Sequence, residues 1–200
     1  MKIVIATGNS DKLEEIKNIW KDIAYVDIDW IGNYDIGEIE ETGNSLFENA
    51  VIKAEYVANK TNSAAVADDT GLFVECLNGQ PGVHSARFAG KNVTYEDNVR
   101  KLLDDMKNVP MEQRKAEFKT IVCFTQPGAG NIFTEGTVKG IITLEKIGQN
   151  GFGYDPIFKV DDCGKTYAQM SLEEKNAISH RYLAFKKMAD NISKKIRDSK

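Results

Sequence analysis

What this 200-residue chain lacks narrows its possible functions before any motif is considered. It has three cysteines, Cys76, Cys123 and Cys163, far apart and with no CxxC pair, so neither a disulfide framework nor a zinc site is expected. It has no excess of basic charge: 26 lysines and arginines stand against 30 acids, for a net charge of −4. That balance argues against nucleic-acid or membrane binding, both of which need a basic surface. No run approaches the ~18 apolar residues of a membrane helix. The apolar run at the N-terminus is too short for a signal peptide, so reduced thiols and a cytoplasmic location are expected. There is no Walker A motif, no internal repeat and no low-complexity segment.

What remains is ordinary globular composition, 42% hydrophobic and 28% charged, enough for one ample domain over residues 1–200. Strands are expected at Lys2–Ala6, Ala24–Trp30, Ala64–Ala67, Leu72–Leu77, Ala116–Thr125, Ile132–Val138 and Ile141–Leu144. Helices are expected over Asp11–Trp20, from Asn44 or Ser45 to Asn59 with Phe47, Ala50, Val51, Ala54 and Val57 inward, from Thr94 to Lys107, and from Ser171 to Ile196, with a restart at Ser179. Thr94-Tyr-Glu-Asp and Ser171-Leu-Glu-Glu both read as capping boxes. Strand–helix alternation, then hairpins, then a C-terminal helix is the pattern of a mixed α/β domain with two lobes, the site expected in the cleft between them.

Five stretches carry chemistry. Thr7-Gly8-Asn9-Ser10-Asp11-Lys12 joins a buried strand to a helix. A glycine turn, a helix N-terminus and a lysine there can hold a phosphate, or can simply form a capped turn. Glu41 precedes a helix that carries Lys53. Asp68 and Asp69 stand together at the end of the Ala64–Ala67 strand, followed by Thr70. Two adjacent buried carboxylates need compensation by a metal ion, a lysine or backbone donors, unless one is solvated. Phe152-Gly153-Tyr154-Asp155 is a glycine-rich loop whose exposed rings offer stacking and whose acid can accept from a ring N–H. Such rings also serve as core anchors. Finally, Lys175, His180 and Arg181 place cationic or donor groups around a helix start.

Taken together the stretches TGNSDK (7–12), ETGNSLFENAVIKA (41–54), ADDTGLFV (67–74), GQPGVHSARFAG (79–90), GFGYDPIF (151–158) and EKNAISHR (174–181) resemble the inosine triphosphate pyrophosphatase family. Those house-cleaning enzymes hydrolyse non-standard purine nucleoside triphosphates such as ITP, dITP and XTP to monophosphate and diphosphate. Thr70 stands where bacterial relatives often have serine. The resemblance implies an elongated two-lobed α/β domain with a long mixed central sheet flanked by helices, an active cleft between lobes, a homodimer and a magnesium requirement. It implies that Thr7, Gly8, Asn9, Ser10, Asp11, Lys12 and Lys53 serve the triphosphate. Glu41 and Asp69 would be the metal ligands, with Asp69 also the general base and Asp68 and Thr70 in support. Phe152, Gly153, Tyr154 and Asp155 would be the base loop, and Lys175, His180 and Arg181 the base and sugar side. Polar readout of the purine 6-oxo group is expected from His180 and Arg181, and stacking from Phe152.

Overall fold

The computed structural model describes residues 1–198. Seven strands form one sheet: β1 (Lys2–Ile5), β2 (Asp27–Trp30), β3 (Ala64–Val74), β4 (Pro81–Gly82), β5 (Lys115–Thr125), β6 (Ile132–Ile142) and β7 (Phe158–Val160). Five helices accompany them: α1 (Ser10–Ile19), α2 (Leu46–Thr61), α3 (Tyr95–Asp105), α4 (Leu172–Ile178) and α5 (His180–Asp198). The order is β2-β1-β3-β5-β6-β7, with β4 on β3. β1 runs parallel to β2 and β3, while β3–β4 and β6–β7 are antiparallel, so the sheet is mixed as expected.

The chain divides into two compact units. The first holds Met1–Asp69, Thr120–Gly136 and the described residues from His180 on; the second holds Thr70–Lys119 and Thr137–Ser179. In the first unit, alternation along β1 and β3 sorts residues onto two faces. Ile3, Ile5, Ala64 and Val66 pack with Leu13, Ile16 and Trp20 of the α1 segment and with Phe185, Met188 and Ile192 of α5. Val4, Ala6, Ala65 and Ala67 pack with Ala50, Ala54 and Val57 of α2. Trp20 joins α1 to α5: its ring meets Phe185 edge-on at 5.4 Å and its N–H donates to the Phe185 carbonyl at 2.9 Å. In the second unit Phe118, Phe158 and Tyr167 form an aromatic cluster. Arg114, fully buried there, donates to the carbonyls of Met106, Val109, Ile142 and Thr143 and so clamps the exit of α3.

Four expectations are corrected. The strands expected at Ala64–Ala67 and Leu72–Leu77 are one strand, β3, so Asp68 and Asp69 lie inside it and not at an end. Ile132–Val138 and Ile141–Leu144 merge likewise: β6 runs through Gly140, where a β-carbon would collide with Lys159 and Phe158 of the β7 strand. Phe47 does not face inward; it is 48% exposed and stacks on Phe133 at 4.2 Å. Val51 is only partly buried. The caps are found as expected. Ser45 caps α2, and Thr94 and Ser171 form capping boxes with Asp97 and Glu174. α4 ends at Ser179, which is extended (φ −68°, ψ 155°), and α5 restarts at His180.

Candidate functional site

β3 carries the centre of the site. Its alternation sends Asp68 to the face shared with α1 and α5, and Asp69 to the face shared with α2. Adjacent carboxylates are thereby kept apart by the strand itself. Each meets its own lysine: Lys12 Nζ lies 3.0 Å from Asp68 Oδ2, and Lys53 Nζ lies 3.0 Å from Asp69 Oδ1. Lysine, one of the compensations open in the sequence, is present on both faces.

On the Asp68 face a chain of charges continues. Arg181, 2% exposed, donates to Asp68 at 3.4 Å and to Glu15 of α1. Burial alone would raise the Asp68 pKa, but Lys12 and Arg181 outweigh it and hold the carboxyl well below the usual range. Burial pushes the Lys12 ammonium down, an effect that Asp68 only partly offsets. β6 passes the start of α5 so closely that a β-carbon at Gly136 would collide with the His180 carbonyl oxygen. His180 is itself buried. Arg181 thus belongs to the lysine-bearing end of the first unit, with its guanidinium committed to two carboxylates, a placement that the base-side expectation did not foresee.

On the Asp69 face, Lys53 also donates to Glu41 Oε1 at 2.8 Å. Asn49, one helical turn before Lys53 on α2, donates to Asp69 Oδ2 at 3.2 Å and accepts from the Gly43 N–H at 2.8 Å. It therefore ties the segment that bears Glu41 to the strand. Burial raises the Asp69 carboxyl above its ordinary value more than Lys53 lowers it. Lys53 moves up, because Asp69 and Glu41 together outweigh its own burial. Glu41 and Asp69 are two hard oxygen donors drawn to one point, with Glu41 partly open to solvent. Such a pair suits magnesium, which takes one or two carboxylates and fills its remaining positions with water and phosphate oxygens. Among the described residues no cluster of three or more acids, histidines or cysteines forms a ready metal cage, and a two-carboxylate site does not need one.

The loop 7–12 is built differently from the backbone cradle expected of it. Asn9 caps α1, its side chain accepting from the N–H groups of Asp11 (2.9 Å) and Lys12 (3.1 Å), and the Asn9 N–H itself goes to the Thr7 hydroxyl at 3.2 Å. Those amides are occupied by the loop. What the stretch offers an anion is the Lys12 charge, the helix dipole and the open flank at Gly8, where nothing lies within 4 Å of a β-carbon position. Ser10 opens α1, and Asp11 sits in its first turn. The Thr7 carbonyl accepts from the Trp30 indole at 2.7 Å.

The second unit holds the remaining candidates. Thr70 is half-buried on β3. Tyr154 corrects the expectation of exposed rings: it is 5% exposed and its hydroxyl donates to the Ser85 carbonyl at 2.9 Å, so it anchors the loop. Phe152 is the ring left half-open. Asp155 is buried, accepts from the Phe152 N–H at 2.9 Å and pairs with Lys175, so in this structure it shapes the loop. Lys175 Nζ also lies 4.7 Å from the centre of the Phe152 ring. Gly151 and Gly153 take positive φ (72° and 60°), the left-handed turns that a side chain would strain. A cavity of about 420 Å³ in this unit, lined among others by Phe73, Lys115, Lys139 and Asp161, contains none of these candidates.

Glu15 and Asn49 received no role in the sequence. Their signal was present: each is a polar residue on the apolar stripe of its helix, three residues after Lys12 and four before Lys53 respectively.

Comparison with known proteins adds the following. A model of the Ham1 family matches residues 3–191. A Thermoanaerobacter protein (strain X514) named dITP/XTP pyrophosphatase is 50% identical, covering 99% of this chain and all of the relative. An Escherichia coli K12 protein of the same name is 42% identical, over 94% of this chain and 96% of its own. Among solved structures, the Staphylococcus aureus Ham1 protein superposes with a TM-score of 0.86 at 39% identity, over 98% of this chain and all of that one. A HAM1 protein from Coxiella burnetii gives 0.88 at 36%, over 97% and 99%.

Proposed function

The chain belongs to the Ham1 family, and from that premise we propose that it hydrolyses non-standard purine nucleoside triphosphates, dITP, ITP and XTP, to the monophosphate and diphosphate. One observation carries the proposal: Asp68 and Asp69, adjacent and buried, are each paired with a lysine on opposite faces of one strand. A binding module needs cations for a triphosphate. It does not need a buried carboxylate pushed toward the proton-accepting range.

A phosphoanhydride resists attack because its oxygens repel nucleophiles, so hydrolysis needs charge neutralisation, fixed geometry and an activated water. Lys12 and Lys53 supply the neutralisation. Asp68, Arg181 and Glu15 hold Lys12 in place, and Asn49 holds Asp69. Asp69 takes a proton from the water as the water oxygen bonds to phosphorus; the α–β phosphoanhydride bond breaks, its electron pair stays on the bridging oxygen, and the products are the monophosphate and diphosphate. Magnesium held by Glu41 and Asp69 would add positive charge at the phosphate oxygens and order the water. Phe152 stacks on the base. Magnesium, a homodimer and a cytoplasmic location rest on the family resemblance.

The test is diphosphate release from dITP, ITP, XTP, GTP and ATP, with magnesium and after chelation. Release from the 6-oxo, non-standard substrates, lost on chelation and restored by magnesium, is the expected result. Nucleotide binding without diphosphate release would overturn the proposal.

A further inference from the structure

Tyr95 is the first residue of α3, and the Thr94–Asp97 capping box fixes where that helix begins. It is 43% exposed. Its ring centre lies 5.7 Å from that of Phe152, tilted by 40°. Phe152 is therefore bounded twice, by the Lys175 ammonium at 4.7 Å and by Tyr95. Its main chain is pinned by Asp155, between two glycines in left-handed turns. Besides Lys175, the Phe152 ring meets Tyr95, which is delivered from a capped helix. A tilted aromatic pair at this spacing attracts beyond its buried area and favours one relative orientation of the two rings.

We propose that Tyr95 is a positioning residue for the base: it sets the tilt of the Phe152 ring, so that the ring presents a ready stacking face to a purine. This rests on Phe152 being the stacking residue. It assigns the work to the Tyr95 ring.

The test uses the full chain and two probes: dITP as substrate, and inorganic tripolyphosphate, which has no base, as competitive inhibitor. For Tyr95→Ala the expected result is a KM for dITP raised three- to tenfold, kcat within twofold, and an unchanged tripolyphosphate Ki. Tyr95→Phe should match the wild type. The double variant Tyr95→Ala with Phe152→Ala should be no worse than Phe152→Ala alone, because Tyr95 acts through that ring. If Phe152→Ala raises the dITP KM and Tyr95→Ala does not, the role of Tyr95 is overturned while the base loop stands. If Phe152→Ala itself leaves the KM unchanged, the base loop is overturned and Tyr95 with it. A Tyr95→Phe defect equal to that of Tyr95→Ala would show that the hydroxyl is what matters and refute the proposal. A fall in melting temperature with no change in KM would reduce Tyr95 to a structural residue and equally refute it.

Discussion

Lys12 and Lys53 reach the same strand from opposite sides, each 3.0 Å from one of two consecutive aspartates. The two pairs are not equivalent. Asp68 has two cations and is held firmly ionised. Asp69 shares one cation with Glu41 and is pushed toward protonation by its burial. Strand geometry thus turns a sequence repeat into one carboxylate held ionised and one pushed toward protonation.

Asp69→Asn is expected to lower kcat/KM by about 100-fold or more, the usual scale for loss of a general base. The fold should survive, because the change removes an uneasy buried charge and keeps a side chain that can still accept from Lys53. Steady-state kinetics with a thermal melt checks both. Retention of a tenth of wild-type activity, a loss of only ~1.4 kcal/mol, would exclude Asp69 as the base.

The burial of Asp69 should show in the metal-free protein. A carboxyl whose pKa is raised in the folded protein loses its charge earlier as pH falls, so the NMR titration of Asp69 without magnesium should lie above the ordinary carboxylate range. In Lys53→Gln it should move further up, since the cation that opposes burial is gone. A titration at the value of a free aspartate would contradict this reading of the pair.

Asp68 gives the opposite sign in stability. Its folded pKa is depressed, so its contribution is present above the unfolded pKa and disappears as pH falls toward the folded one. Asp68→Asn should therefore cost about 3–5 kcal/mol at neutral pH, the scale for breaking a buried pair. The gap to wild type should narrow as the pH drops below 4. Denaturant melts across pH decide it; a gap that is constant with pH would refute the ionic origin.

Lys12→Ala should raise the KM for every triphosphate by a similar factor, about ten to a hundred, from the loss of charged hydrogen bonds. The ratio of kcat/KM for ITP to that for ATP should stay put. A changed ratio with an unchanged rate on ITP would contradict its place at the phosphate end.

Much of this was legible in the sequence because local rules governed it. Capping signals gave α2, α3 and α4 their starts, and apolar, β-branched runs gave β1 and β5. What was misread depended on contacts distant in the chain. Asp68-Asp69 looks like a strand terminator until Lys12, 56 residues away, and Lys53 neutralise it. Tyr154 looks like an offered ring until the Ser85 carbonyl, 69 residues away, takes its hydroxyl. Arg181 gave no sign of its ion pair with Glu15, because Glu15 lies 166 residues away. The candidate residues were chosen by type, and which of them meet is set by the fold.

Gly136 bears no functional group, yet any side chain there must displace the His180 carbonyl and with it the first turn of α5. That turn carries Arg181, which steadies Asp68, which steadies Lys12. In a survey of variants scored by turnover, position 136 would therefore imitate an active-site residue: intolerant of even alanine, indifferent to the polarity of the replacement, and impossible to rescue by added magnesium. A homologue that had lost this glycine would have to shift α5 outward or abandon Arg181. The pair would be expected to change together over evolutionary time, although neither side chain touches the other's chemistry.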